Sequence, residues 1–152
     1  MIDLTCPINN VAPLIPQSGE MALLDCVTAF GADFLTAETV VKSDNIFVTQ
    51  SKVASFVGLE ILAQGIAAWA GCMALQKGEQ VRLGYLLGSR KLSIYCDALP
   101  INQPLQIQVK LSLQDSMGFG VFDCQLIDLS NHQVLMEGAL NVFSPYDEKE
   151  VV

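Results

Sequence analysis

The chain has 152 residues, of which 51% are hydrophobic, and a formal net charge of −8. That length points to one domain with a real core, and so apolar a composition excludes a disordered chain. The acidic balance argues against partners that need a basic footprint, nucleic acid and anionic membrane surfaces among them.

Half of the 8 basic residues, Lys77, Arg82, Arg90 and Lys91, fall in one segment that holds a single acid, Glu79. An acidic partner would be met there, although an ordinary solvated loop has the same composition. The 5 cysteines, Cys6, Cys26, Cys72, Cys96 and Cys124, are odd in number and widely spaced, with no CxxC. They predict neither a disulfide framework nor a metal site, and reduced core cysteines fit a cytoplasmic protein. The opening MIDLTCPINN has neither the basic start nor the apolar run of a secretory signal.

In chain order, Pro7, Pro13, Pro16 and Gly19 make the first stretch a short turn followed by irregular backbone. Residues 21–30 and 34–41 read as the two strands of a hairpin turned at Gly31-Ala32-Asp33. Thr49 or Ser51 is a candidate cap for the element that follows. Residues 53–76, VASFVGLEILAQGIAAWAGCMALQ, form the longest apolar run and read as one helix, stopped at Lys77-Gly78. A membrane span needs ~20 apolar residues, but Glu60, Gln64 and three glycines argue for a buried helix instead.

Four strand-like runs come next. The first, 81–96, carries Gly84 and Gly88, which predict a bulge or a close backbone approach. After a proline-bounded loop at 98–104 come 105–114, 118–129 and 134–143, the last two joined by a turn at Ser130-Asn131-His132. A domain is expected over 1–145, with an acidic tail at 146–152. Two strands, an apolar helix and an antiparallel meander predict an α+β hot-dog fold, one curved sheet rolled around one helix and paired with a second chain.

Glu60 and Gln64 lie four residues apart, one turn above the other on one helix face. A lone carboxylate in apolar surroundings has its charged form disfavoured, which suits it to exchange a proton near neutral pH. The alternative is that Glu60 reaches solvent in the first turns and complements the helix dipole. Gln64 can hydrogen-bond Glu60 or a ligand carbonyl. Ala67, Ala68, Ala70 and Gly71 admit a second backbone or an acyl chain, whereas Trp69, Met73 and Leu75 suit helix–sheet packing. His132, the single histidine, falls in a turn, and neither a metal site nor a Ser-His-Asp set can be assembled.

Several segments carry a resemblance. The segment from Leu14 to Asp25, LIPQSGEMALLD, resembles the N-terminal Leu-Pro-His motif of hot-dog 3-hydroxyacyl-acyl carrier protein dehydratases. Leu59-Glu60-Ile61-Leu62-Ala63-Gln64 resembles their Glu-x-x-Ala-Gln helix motif. GYLLGSR from Gly84, Gln114-Asp115, FGVFDC from Phe119 and NVFSP from Asn141 are similar to the dehydratase branch that includes aryl-polyene pathway enzymes.

The resemblance implies a dimeric hot dog in which an acyl group on a phosphopantetheine arm, from an acyl carrier protein or coenzyme A, enters a tunnel at the interface. It implies no cofactor and no metal. Glu60 would be catalytic, Gln17, Gln64 and Gly88 would bind substrate, and Arg82, Arg90 and Lys91 would dock the carrier. Two places depart from the pattern. Ile46-Phe47-Val48-Thr49 stands where better-known dehydratases carry His-Phe-Pro-Gly, and Gln17 stands where the first motif has its histidine. Glutamine cannot take a proton. Three readings follow: a dehydratase of fatty acid or polyketide type; a non-catalytic subunit that binds thioesters or pairs with an active paralogue; and a thioesterase using Glu60 with Gln64, Gln50 or Gln17.

Overall fold

The computed structural model describes residues 2–145. The acidic tail expected at 146–152 lies outside them. A 3-10 turn (Gly19–Met21) precedes β1 (Cys26–Phe30) and β2 (Phe34–Val40). A small hairpin, β3 (Val48–Thr49) and β4 (Lys52–Ala54), leads into α1 (Val57–Gln76). Then come β5 (Tyr85–Ile94), β6 (Ala98–Leu99), β7 (Pro104–Gln114), β8 (Phe119–Asp128) and β9 (Gln133–Phe143).

Six strands form one antiparallel sheet in the order β1-β2-β7-β8-β9-β5, while β3, β4 and β6 form a small second sheet. Alternate residues of the large sheet point at the helix. Leu35 and Ala37 of β2, Ile107 and Val109 of β7, and Leu126 and Met136 of β8 and β9 are all buried. The helix supplies Ile61, Leu62, Ile66 and Ala68 to the same core. It is long and apolar enough to cross a membrane. Wrapped by the sheet, it is the core helix of a soluble hot-dog fold.

Four expectations need correction. The first strand begins at Cys26, not residue 21, because the backbone ahead of it bonds to side chains. The Leu23 N–H donates to Gln64 Oε1 (2.7 Å), and the Leu23 carbonyl accepts from the Thr39 hydroxyl. The helix begins at Val57, since Val53 and Ala54 belong to β4. Neither Thr49 nor Ser51 caps it: Gln50 and Ser51 have φ of 52° and 64° and turn the β3–β4 hairpin. Finally, β5 does not sit beside β7 in a simple meander. It crosses to the far side of β9 and becomes an edge of the sheet.

Other features match the pattern. Lys77 and Gly78 end the helix in a Schellman motif: Gly78 has φ of 71°, and the Glu79 N–H donates to the Ala74 carbonyl (2.8 Å). The glycine-bearing strand shifts register between Leu86 and Gly88, as its glycines predict, and again between Arg90 and Ser93. His132 sits in the β8–β9 turn with φ of 59°.

Candidate functional site

The N-terminal segment is seated on the helix by one missing side chain. A Cβ at Gly71 would lie 2.1 Å from the Leu14 carbonyl oxygen, so only glycine lets these backbones touch. With Leu14 fully buried, the chain is carried past the helix face that holds Glu60 and Gln64.

Gln64 is fully buried and uses its whole amide. Its Nε2 donates to the Met21 carbonyl (2.7 Å) and to Glu60 Oε1 (3.0 Å), and its Oε1 accepts from the Leu23 N–H. An amide in this setting acts like a piece of main chain. It pairs with the segment before β1 as a strand would, and its remaining hydrogen fixes Glu60. Both hydrogens of the Gln64 amide are thus engaged within the chain.

Glu60 is half-buried in the first turn of the helix. It is not the isolated carboxylate that its neighbours in sequence suggest, because Gln64 is bonded to it. The helix N–H groups just ahead are engaged: those of Gly58 and Leu59 donate to the Ser55 and Phe56 carbonyls, each at 3.0 Å.

Glu60 opens onto a cavity of about 150 Å³. Ala63, Ala67 and Ala70 continue the same helix stripe along it, so at 1.5 Å per residue the cavity follows the helix for roughly 15 Å. Gln17 and Arg82 line it too. The opposite wall comes from Leu86 of β5, Gly120 and Phe122 of β8 and Val142 of β9. Gln17 Oε1 is closed off from solvent and has no hydrogen-bond partner among the described residues. An unmet buried acceptor costs about 1–3 kcal/mol.

The structure therefore gathers Glu60, Gln17 and Arg82 around one cavity, with Gln64 directly behind Glu60. Gly88 does not join them; its place in the β5 bulge has open space where a Cβ would be. Arg90 and Lys91 lie elsewhere. With Lys110, Asp123 and Glu137 they line a larger groove, about 570 Å³, on the outer face of the sheet. That groove has no helix residue on its walls, so its size does not make it the reaction site. Gln50 is exposed in the β3–β4 turn, and His132 is exposed in the β8–β9 turn.

Phe122 and Val142 were not singled out from the sequence. Both sit in segments similar to the dehydratase pattern, but only the sheet register shows that they face the helix. The buried thiols offer no nucleophile. Burial pushes Cys72 and Cys124 up to about 12, leaving them protonated at neutral pH.

One helix wrapped by an antiparallel sheet, with a helix carboxylate at a largely apolar cavity, defines a hot-dog protein. The sequence profile described as ApeP dehydratase matches residues 9–152. The chain belongs to this ApeP-like dehydratase family.

Among solved structures it is similar to the dehydratase heterocomplex ApeI:P from Xenorhabdus doucetiae, with 28% identity, 93% of each chain covered and a TM-score of 0.83. It is also similar to a hypothetical thioesterase with coenzyme A from Streptococcus pneumoniae TIGR4, with 13% identity, 78% of this chain and 83% of that chain covered, and a TM-score of 0.59. The PaaI protein of the E. coli phenylacetic acid degradation operon has 8% identity, 77% and 80% coverage and the same TM-score of 0.59. These last two likenesses show the fold alone. No curated protein matches the chain by sequence.

Proposed function

We propose that this chain is the carboxylate-bearing subunit of a cytoplasmic 3-hydroxyacyl thioester dehydratase, and that a paralogous hot-dog subunit supplies the histidine. The observation that carries this reading is the make-up of the cavity. It presents a carboxylate oriented by a buried amide beside an apolar channel, while the chain's one imidazole stands in an exposed turn away from it.

Dehydration needs two proton transfers. A base removes the C2 proton, the electron pair forms the C2–C3 double bond, and the C3–O bond breaks. Glu60, in its acid form, gives its proton to the departing hydroxyl, which leaves as water. The base is the imidazole of the paralogue, and it returns its proton to Glu60 through solvent. Glu60 thus serves the leaving group, and general acid catalysis of this kind contributes ~10²–10⁴ in rate.

Three features support a second subunit. A solved structure similar over 93% of the chain, at 28% identity, is a dehydratase heterocomplex, ApeI:P. The cavity is below the ~300 Å³ at which binding pockets for small molecules usually begin, as expected of half a site. The third is an open sheet edge beside it. The β1 edge is covered where Ile8 and Val27 exchange backbone hydrogen bonds (2.8 and 2.9 Å), but among the described residues β5 pairs only with β9. Tyr85, Leu86 and Leu87 of β5 are exposed there, and Phe119 lies on the same rung through Phe143. A free edge with an apolar patch is a docking surface for another sheet.

The substrate arrives on the phosphopantetheine of an acyl carrier protein. Of the three cations suggested for docking, Arg82 borders the cavity, whereas Arg90 and Lys91 face the other side of the sheet.

The test is reconstitution. The chain is purified alone and with a histidine-bearing paralogue, and enoyl product is measured from a 3-hydroxyacyl-pantetheine thioester. The pair is expected to form product, the chain alone none, and Glu60→Gln in the pair should lose about 10²–10⁴ in kcat. A pair in which Glu60→Gln retains full rate would falsify the reading.

A further inference from the structure

A second, more open space, about 450 Å³, lies beside the first toward the C-terminal end of the helix, with Lys77, Glu79, Gln114 and Ser144 on its walls beside Met73 and Ala74. Ala32, Met73 and Lys77 belong only to this second space, whereas Trp69, Ala70, Arg82, Gln114, Gly118 and Ser144 border both. Trp69 is the largest side chain at that boundary, and it cannot swing aside freely. Its indole is 5% exposed. Its Nε1–H donates to the Gly31 carbonyl in the β1–β2 turn (3.0 Å). Phe122 of β8 meets it edge-on, with ring centroids 5.4 Å apart and planes at 67°. The two restraints come from different parts of the sheet, the β1–β2 turn and β8. Moving the ring would cost a buried hydrogen bond and an aromatic contact worth about 0.5–1.5 kcal/mol.

We propose that Trp69 sets the length of acyl chain the site accepts, as a fixed wall between the Glu60 cavity and the larger space beyond. The inference rests on the acyl-thioester reading of that cavity. An acyl chain that has passed Glu60 runs along Ala63 and Ala67 and meets the indole at Ala70. A smaller residue at 69 joins the two cavities and lets longer chains continue. A larger residue at 67 stops the chain earlier.

The experiment measures binding, not turnover. Saturated acyl-pantetheine thioesters, from butanoyl to dodecanoyl, are titrated by calorimetry into the full chain, purified with the subunit it assembles with. Wild-type affinity should rise with each methylene and then stop rising at a definite length. Trp69→Phe and Trp69→Leu should move that limit to longer chains, with at most about a fourfold gain for each methylene newly given room. Ala67→Phe should move it to shorter chains, so the proposal stays testable if a Trp69 variant folds poorly. An unchanged limit in the folded variants overturns the role of Trp69 and leaves the dehydratase reading standing. Wild-type protein that binds no thioester of any length overturns both.

Discussion

The hydrogen bond between Gln64 and Glu60 sits at the centre of the site, and it is one of three that a single buried side chain makes. Leucine has nearly the shape of glutamine but none of its polarity. Gln64→Leu would leave the Leu23 N–H and the Met21 carbonyl without this partner, at about 1–3 kcal/mol each. It would also release Glu60. The expected result is a loss of roughly 2–5 kcal/mol in urea unfolding, together with a fall in kcat of the reconstituted pair at nearly unchanged KM. A role in gripping substrate would instead raise KM. The sequence showed that residues 60 and 64 share a helix face. It did not show that Gln64 faces inward and is spent on backbone, because those partners lie 41 and 43 residues away.

At the scale of elements, the helix is shaped by what it lacks. Gly71 is in its interior, where alanine is favoured over glycine by about 1 kcal/mol. Propensity alone would make Gly71→Ala stabilising. Packing opposes this, since the new methyl would stand 2.1 Å from a backbone oxygen of Leu14 that no side-chain rotation can move. Overpacking typically costs 1–3 kcal/mol, and a clash with fixed backbone falls at the upper end, so packing wins and the variant should be less stable by up to roughly 2 kcal/mol. Thermal unfolding measures the sign directly, and a raised midpoint would mean that the N-terminal segment is not seated as described. The end of this helix was legible from Lys77-Gly78, because a Schellman motif is local chemistry. Its start was not, because residues 53 and 54 pair with residues 98 and 99 of β6, a long-range contact that apolar periodicity does not encode.

At the scale of the molecule, the open edge is the feature that decides what the chain does alone. Leu87 is 56% exposed and occupies the β5 bulge. Leu87→Asp should change the stability of the separate chain by no more than about 0.5 kcal/mol, as surface substitutions do. It should nevertheless abolish assembly with a partner, read as a loss of the larger species in size-exclusion chromatography with light scattering. Unchanged assembly would place the partner elsewhere.

The sequence by itself determined the class of fold, the central helix, the turn that holds His132 and the candidacy of Glu60. Each rests on local periodicity, a turn residue or an apolar run with one costly carboxylate. Only the tertiary structure decided the rest. It put Arg82 on the cavity and Arg90 and Lys91 behind the sheet, moved β5 past β9 to an edge, and bonded Gln64 to Glu60 and to the segment ahead of β1. Those outcomes depend on strand order and on hydrogen bonds between distant segments, which come into being only when the sheet closes around the helix.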